Sequence, residues 1–248
     1  RERPVQAEDF EWLHCELDRV WANAWHGLCE GGFLIVNIGD ATRSIDKRFR
    51  LYANHARIIQ GCVGLGFSVL PGILWRKPTN APNKFMGSGM LPGGAYVTLE
   101  HEHILIFRKG DRRSYSSDAD RQRRRQSAIF WEERNVWFSD VWQDIRGERQ
   151  AFGGGTRARS GAFPFEFAYR LVNMFSMQGD CVCDPFIGTG TTALAAMASA
   201  RSSLGIEIDP ELHAVMQTRI RGAKDDLNRF TSRRYDRHAE FVQARAAN

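Results

Sequence analysis

The residues of this chain best suited to chemistry are concentrated in one segment, DPFIGTGTTALAA, at residues 184–196. A short apolar strand is predicted over residues 181–186, and a helix of small residues is predicted from Thr191 onward. Gly188 and Gly190 permit a tight turn and let a ligand come close to the backbone. A helix N-terminus also offers free N–H groups. The segment is therefore predicted to hold a small ligand.

The carboxylate of Glu207 indicates what kind of ligand this segment holds. Glu207 ends the next predicted strand, SLGIEID, at residues 203–209. In doubly wound folds, an acidic residue at this place receives the ribose hydroxyls of an adenosine-containing ligand. Asp184 would repel a pyrophosphate but suits an ammonium group, and S-adenosylmethionine carries an ammonium group, a sulfonium and no phosphate.

Phosphate-binding motifs match this segment less well. A P-loop needs Lys after its last glycine, whereas Thr191 follows Gly190. The dinucleotide fingerprint has its third glycine where Ala193 stands, and alanine is sometimes allowed there. A nicotinamide-dependent oxidoreductase therefore remains an alternative.

DPFIGTGTT followed by GIEID closely resembles the cofactor-binding motifs of the amino-group DNA methyltransferases, which methylate adenine N6 or cytosine N4. Further segments resemble the family's additional cofactor helix, the strand after its catalytic segment and the strands that flank its DNA-contacting loop. These are AFPFEFAYRL (162–171), GGFLIVNIGD (31–40), GFSVLPGILWRKP (66–78) and EHILIFRKG (102–110). Their order resembles that of the permuted beta subgroup. The resemblance implies a Rossmann-like α/β methyltransferase with a doubly wound, mostly parallel sheet and an inserted recognition region.

The cofactor site expected for S-adenosylmethionine lies around the glycine-rich turn. It comprises Asp184, Phe186, Ile187, Gly188, Gly190, Thr191, Thr192, Glu207 and Ile208, with support from Phe163, Pro164 and Asp40. By resemblance, Phe186 packs against the adenine. Phe163 and Pro164 suit core packing equally well. Asp40 could face the methionine end of the cofactor or the target base, or could simply cap the next helix.

The family's catalytic motif is Asp, Asn or Ser followed by Pro-Pro and an aromatic residue, and no Pro-Pro occurs in this sequence. The catalytic residues are therefore unknown and are expected upstream of Arg1. The resemblance implies a site-specific DNA methyltransferase of a restriction-modification or epigenetic system. Such an enzyme flips the target base out of the duplex and transfers the methyl group directly to the amine. The alternative is a non-catalytic nucleic-acid-binding module that keeps a cofactor-binding fold.

Composition favours a polyanionic partner. The 248 residues carry a formal net charge of +5, and the pI is about 9.1. Double-stranded DNA is the expected partner, although RNA and homodimerisation stay open. Weak candidates for DNA contact are Arg76, Lys77, Lys84, Arg123, Arg124 and Arg125. An arginine run is more commonly just a solvated face.

Other partners are not expected. No apolar stretch is long enough for a membrane span. His101 and His103 share one face of a predicted strand with no third ligand near in sequence, so no metal is expected. The five cysteines have no metal-ligand spacing, and none follows proline, unlike the nucleophile of C5-cytosine enzymes. They indicate reduced thiols and a cytoplasmic location, nucleoid-associated if the source is bacterial.

The elements that must position these residues follow from hydrophobic spacing. Three domain segments are predicted: residues 1–110 as the catalytic-side half, 111–160 as a candidate target-recognition insert and 161–248 as the cofactor-binding half. Strands are predicted at 33–39, 67–75, 103–108, 181–186 and 203–209, and helices at 8–29, 49–65, 164–176, 191–200 and from Pro210 to about residue 220, followed by a helical basic tail.

Overall fold

The computed structural model of the chain describes residues 7–45, 48–77, 86–147 and 163–247. The chain divides into two compact units. The first unit comprises Arg1–Ser114 and Asp140–Asp144, and the second comprises Tyr115–Ser139 and Ile145–Asn248. The division after Ser114 lies close to the predicted boundary at residue 110. The predicted insert is shared between the units, and its part from 148 to 160 lies outside the described residues.

The first unit contains two helices and eight strands among its described residues. They are α1 (Ala7–Gly27), β1 (Phe33–Ile38), β2 (Ala41–Ile45), β3 (Arg48–Tyr52), α2 (Asn54–Gly64), β4 (Ser68–Arg76), β5 (Met86–Gly87), β6 (Ala95–Tyr96), β7 (His101–Arg108) and β8 (Val141–Trp142).

A four-stranded sheet in the order β1-β7-β4-β8 forms the centre of this unit. β7 is antiparallel to both β1 and β4, while β8 is parallel to β4. Three of the four strands therefore run in the same direction, with the reversed strand inserted between them. Trp21 and Ile58, from α1 and α2, pack with Phe107 of β7 in a buried apolar cluster. β1 is only partly buried.

A β-bulge at Pro71-Gly72 interrupts the pairing of β4, between Leu70 and Ile73. A Cβ on Gly72 would lie 2.8 Å from the carbonyl oxygen of Ile104 on β7. The close approach of the two backbones therefore requires glycine at this position.

The helix predicted over residues 49–65 begins only at Asn54. The residues before it form β3, which pairs with β2 in an antiparallel two-stranded sheet, here called the basic hairpin (residues 41–45 and 48–52). Its alternating charged and apolar residues have the two-residue period of a strand. The prediction was wrong because the apolar residues Phe49 and Leu51 were assigned to the helix that follows them.

The second unit is built mainly from helices. Its described elements are α3 (Asp118–Gln126), α4 (Trp131–Trp137), α5 (Phe165–Phe175), β9 (Cys181–Asp184), α6 (Thr191–Ala198), β10 (Ser202–Gly205), α7 (Pro210–Gly222) and α8 (Lys224–Ala246). β9 and β10 are parallel, as expected for consecutive strands joined by a crossover helix.

Neither β9 nor β10 is buried. Cys181 and Cys183 are exposed, and so is every residue of β10. Among the described residues the two strands pair only with each other. The core lies instead between helices, where Tyr169 and Val172 of α5 pack with Ala195 of α6.

The arginine-rich stretch of the sequence forms a regular helix, α3. Ser117 caps it by accepting a hydrogen bond from the backbone N–H of Asp120 at 3.0 Å. Arg123, Arg124 and Arg125 occupy the last turn, where positive charge is favourable to the helix dipole. No helix in the described part of the chain is long and apolar enough to cross a membrane.

Candidate cofactor site

The glycine-rich turn connects β9 to α6, and two glycines shape it differently. Gly190 is the residue before α6 and has a φ of +85°; a Cβ there would lie 2.7 Å from Cγ of Met216. Both conditions require glycine. Gly188 has a φ of +54°, but a Cβ there would come no closer than 3.9 Å to any atom beyond the adjacent residues. The space in front of Gly188 is therefore open, as close approach by a ligand requires.

Asp184 holds the turn from inside. One carboxylate oxygen accepts a hydrogen bond from the backbone N–H of Phe186 at 2.9 Å, and the other accepts one from the Thr192 hydroxyl at 2.5 Å. Each oxygen keeps a further lone pair. The geometry thus assigns Asp184 a local structural role, and its predicted contact with an ammonium group stays a prediction.

Glu207 lies against the same turn, two residues beyond the end of β10. Its Oε2 accepts a hydrogen bond from the backbone N–H of Gly188 at 2.9 Å, and its Oε1 accepts one from the N–H of Asp209 at 2.8 Å. Backbone bonds between Ile187 and Ile206 at 3.1 Å, and between Ile206 and Asp184 at 3.0 Å, join the two segments. The structure therefore brings the predicted carboxylate and the glycine-rich turn together.

The apolar residues of the site divide into two groups. Phe186 is 59% exposed and Ile208 is 96% exposed. Ile187, by contrast, is buried with Ala193 and Met216, so its side chain is core and only its backbone borders the turn. Thr191 and Thr192 are buried in the first turn of α6. The exposed pair presents a large apolar surface beside the open glycine.

Phe163 and Pro164 lie at the start of α5. Pro164 is buried and precedes the first turn of the helix. The Phe163 ring lies 5.0 Å from the Phe167 ring and packs against the cluster that contains Tyr169. These contacts support core packing, the alternative that the sequence left open.

Asp40 belongs to the first unit, and its contacts are those of a helix cap. Its Oδ1 accepts a hydrogen bond from the backbone N–H of His55 at 3.1 Å, in the first turn of α2. The same carboxylate lies 2.7 Å from Nδ1 of His55 and 3.8 Å from Nε2 of His103. The capping alternative is therefore observed.

The two histidines beside Asp40 were not expected together. Their rings stack with centroids 4.0 Å apart, and one ligand atom from each residue and from Asp40 lies within 4.8 Å of the others. Burial, followed by His55, lowers the pKa of His103. The sequence placed His103 with His101 on a strand, but pairing with His55 depends on how α2 packs against the sheet. Hydrogen bonds join Asp40 to His55. His103 contacts them through the 3.8 Å approach to Asp40 and the ring stacking with His55. The absence of a metal stays a prediction.

The candidate DNA contacts have varied surroundings. Arg76 pairs with Glu100 at 2.9 Å, and Lys77 pairs with Glu102 and lies over the Trp75 ring at 4.3 Å. Carboxylates therefore neutralise both Arg76 and Lys77. Lys84 lies outside the described residues.

On α3, Arg123 pairs with Asp120 at 2.9 Å, and Arg124 lies over the Tyr115 ring at 4.6 Å. Arg124 and Arg125 are exposed. Contact between this helix and DNA stays a prediction.

One contributor to the turn was missed in the sequence. Arg219 of α7 donates hydrogen bonds to the carbonyl oxygen of Thr189 at 2.8 Å and to its hydroxyl at 2.6 Å. With Met216 below Gly190, α7 therefore holds the turn from outside. Met216 and Arg219 are spaced as on any helix face, so the sequence offered no signal for this role.

Comparison with known proteins agrees with this architecture. A family model described as DNA methylase matches residues 7–218. Type II methyltransferase M.MthZI of Methanothermobacter thermautotrophicus is 50% identical over 232 residues, which are 93% of this chain and 65% of that protein. Type II methyltransferase M.MjaI of Methanocaldococcus jannaschii is 47% identical over 208 residues, 84% of this chain and 67% of that protein. The chain thus spans about two thirds of the length of these relatives.

A solved structure supports the same assignment. TTHA0409 of Thermus thermophilus, crystallised with S-adenosyl-L-methionine, superposes with a TM-score of 0.72 at 33% identity, covering 88% of this chain and 81% of that one. The predicted Rossmann-like α/β methyltransferase fold is confirmed. Because the family model matches most of the chain and a relative with half of its residues identical covers nearly all of it, the chain belongs to the DNA methylase family of amino-group methyltransferases.

Proposed function

We propose that this chain binds S-adenosylmethionine at the glycine-rich turn and serves a methyl transfer to an exocyclic base amine, cytosine N4 or adenine N6, of duplex DNA. The enzyme would act in the cytoplasm as the modification component of a restriction-modification or epigenetic system. Type II methyltransferases at 50% and 47% identity support this activity.

The observation that carries the proposal is the position of Glu207 beside Gly188. The carboxylate is held by two backbone N–H groups, at 2.9 and 2.8 Å, so it is oriented before any ligand arrives. Each of its oxygens retains a lone pair that can accept a hydrogen bond from a ribose hydroxyl. The open space at Gly188 leaves room for the sugar.

The exposed side chains beside this acceptor suit an adenine ring. Phe186 and Ile208 expose most of their apolar surface to water, which is unfavourable by about 25 cal/mol for each Å². A planar heteroaromatic ring can cover such surface by stacking and dispersion contacts. An acceptor for the sugar and an apolar wall for the base together fit a nucleoside.

When bound, the cofactor supplies a methyl group activated by its attachment to a sulfonium. The protein residues contribute binding and orientation, which in direct transfer between two bound reactants provide much of the catalysis. Asp184 and Arg219 fix the turn, and Glu207 fixes the sugar position. Partial desolvation, followed by the charge of Asp184, raises the pKa of Cys183, so this thiol next to the turn stays protonated near neutral pH.

Titration calorimetry with S-adenosylhomocysteine tests the binding proposal. We expect saturable one-to-one binding, and we expect NAD to give no heat at the same concentrations. Binding of NAD without a response to S-adenosylhomocysteine would reject the assignment in favour of an oxidoreductase.

Methyl transfer is tested with the natural protein in its full length. The protein is incubated with S-adenosylmethionine labelled in the methyl group and with duplex DNA of mixed sequence, and we expect label in the exocyclic amine of cytosine or adenine. Intact cofactor and DNA binding without incorporated label would support the non-catalytic alternative instead.

A further inference from the structure

The basic hairpin carries three arginines on one face. In its register Arg43 lies directly opposite Arg50, and Arg48 lies opposite Ile45. Because side chains alternate along a strand, Arg48 and Arg50 point to the same side, and so does the cross-strand partner Arg43. The three Cα atoms lie within about 7 Å of their nearest neighbours in the set.

This arrangement is unfavourable for the hairpin alone. Like charges directly opposite each other in a sheet destabilise it. All three arginines are exposed. Within the described ranges no carboxylate forms an ion pair with any of them, and Arg43 donates only to the carbonyl oxygen of its neighbour Thr42 at 2.8 Å.

Some other exposed arginines of the chain pair with acids nearby. Arg19 pairs with Glu16 at 2.9 Å, and Arg121 pairs with Asp118 at 2.6 Å. In the hairpin, three arginines on one face have no carboxylate partner among the described residues. An anionic partner with several closely spaced charges would remove the repulsion.

Aromatic residues of the hairpin hold it in place. On the face away from the arginines, Phe49 stacks on Tyr96 of β6 with ring centroids 4.1 Å apart and 12° between the planes. At its base, Tyr52 contacts Phe10 of α1, with ring centroids 5.3 Å apart. Tyr52 lies on the same face as the arginines, two residues beyond Arg50, yet the three arginine side chains remain exposed while these aromatic contacts fix the position of the strands.

We infer that this face of the basic hairpin binds the phosphate backbone of duplex DNA, through Arg43, Arg48 and Arg50. Duplex DNA carries one charge for about every 1.7 Å of its axis, which matches a cluster of cations better than a single small anion does. A two-stranded ribbon is also narrow enough to enter the major groove. The inference rests on the proposed function for the identity of the anion, and the hairpin is a contact surface additional to the predicted insert.

The salt dependence of DNA binding tests the inference. Binding of a short mixed-sequence duplex is measured by fluorescence anisotropy over a series of salt concentrations. For the triple variant R43Q/R48Q/R50Q we expect the slope of log K against log salt to become shallower by about 2 to 3, since each lost phosphate contact accounts for about 0.9.

A matched variant removes the same charge elsewhere. R19Q/R229Q/R245Q replaces three arginines on α1 and α8, two of them ion-paired, and we expect its slope to stay close to that of the unmodified chain. A hairpin variant whose slope changes no more than this control would overturn the inference. The charge-preserving variant R43K/R48K/R50K is expected to keep most of the slope. Because lysine keeps the positive charge, a loss as large as that of the glutamine variant would show that the slope does not depend on the charge of this face, and would overturn the inference.

Two further measurements separate this inference from the proposed function. Calorimetry with S-adenosylhomocysteine is expected to give the same affinity for the hairpin variant and the unmodified chain. If the unmodified chain bound no S-adenosylhomocysteine, the proposed function would fail while the hairpin result could still stand. A single-stranded RNA that bound more tightly than the duplex, through the same three arginines, would overturn the assignment to DNA.

Discussion

At the scale of single residues, the side chains around the glycine-rich turn have two tasks. Glu207 accepts hydrogen bonds from the backbone of Gly188 and Asp209, and under the proposed function it also accepts from the ribose. The carboxylate of Asp40 accepts a hydrogen bond in the first turn of α2, and the carboxylate of Asp184 accepts one within the turn itself. A carboxylate can thus serve a ligand in one place and stabilise local structure in another, according to which groups surround it.

Replacing Glu207 by alanine is expected to weaken binding of S-adenosylhomocysteine by about 1.5–3 kcal/mol, because a hydrogen bond to a charged acceptor is lost. Titration calorimetry measures this change. Glu211→Ala serves as the control, since Glu211 is an exposed carboxylate in the first turn of α7. An unchanged dissociation constant for Glu207→Ala would remove the sugar contact from the proposal.

His103 is expected to make folding stability depend on pH. Burial and its neighbour His55 lower its pKa in the folded state below the ordinary value of 6.5. The unfolded chain therefore takes up the proton first, so the contribution of His103 is fully present above pH 6.5 and is lost as the pH falls through the folded pKa.

Urea unfolding on both sides of pH 6.5 should show this effect. The loss of unfolding free energy at the lower pH should be smaller in His103→Gln than in the unmodified chain. His26→Gln, at an exposed position near the end of α1, is expected to keep the full loss. Equal losses in all three proteins would contradict the assignment to His103.

At the scale of elements, the basic hairpin and α3 place arginines in contrasting settings. The α3 arginines occupy a favourable position at a helix C-terminus, so their presence has a structural explanation. Arg43 and Arg50 face each other across the two strands, and the repulsion between their charges disfavours folding of the hairpin. A residue that destabilises its own element is better evidence for a ligand than one that stabilises it.

Arg50→Thr is therefore expected to raise the free energy of unfolding, by about 0.2–1 kcal/mol, through relief of the cross-strand repulsion. Threonine suits an exposed strand position, so β3 should persist. Chemical denaturation at low salt measures the change, and the gain should shrink at high salt as the charges are screened. A loss of stability would show that Arg50 has a favourable intramolecular role.

At the scale of the whole molecule, the glycine-rich turn and Glu207 lie in the second unit, and the basic hairpin and Asp40 lie in the first. S-adenosylhomocysteine at a hundred times its dissociation constant should stabilise the folded chain by about 2.7 kcal/mol. Hydrogen exchange should show added protection at residues 183–192 and 205–209, and none at 33–45. Protection confined to the first unit would contradict the proposed site.

The parts of the candidate cofactor site could be brought together from the sequence, because they are close along the chain. The turn, the helix start and Glu207 lie within residues 184–207, and glycine positions and strand ends are local properties. The family and fold were recognisable on the same residues and are confirmed by the comparisons.

Contacts between distant segments could not be predicted in this way. The Asp40–His55–His103 cluster depends on α2 packing near β7, and the neutralisation of Lys77 depends on its approach to Glu102. The basic hairpin was missed because its apolar residues also suit the beginning of α2.

The sequence by itself determined the family, the glycine-rich turn and the acidic residue that follows it, because each depends on residue types at short spacing. Only the tertiary structure decided which charges are neutralised, which carboxylates are capping groups and where Arg43 meets Arg50. Those outcomes depend on distances between segments, and such distances follow from packing and strand register rather than from local composition.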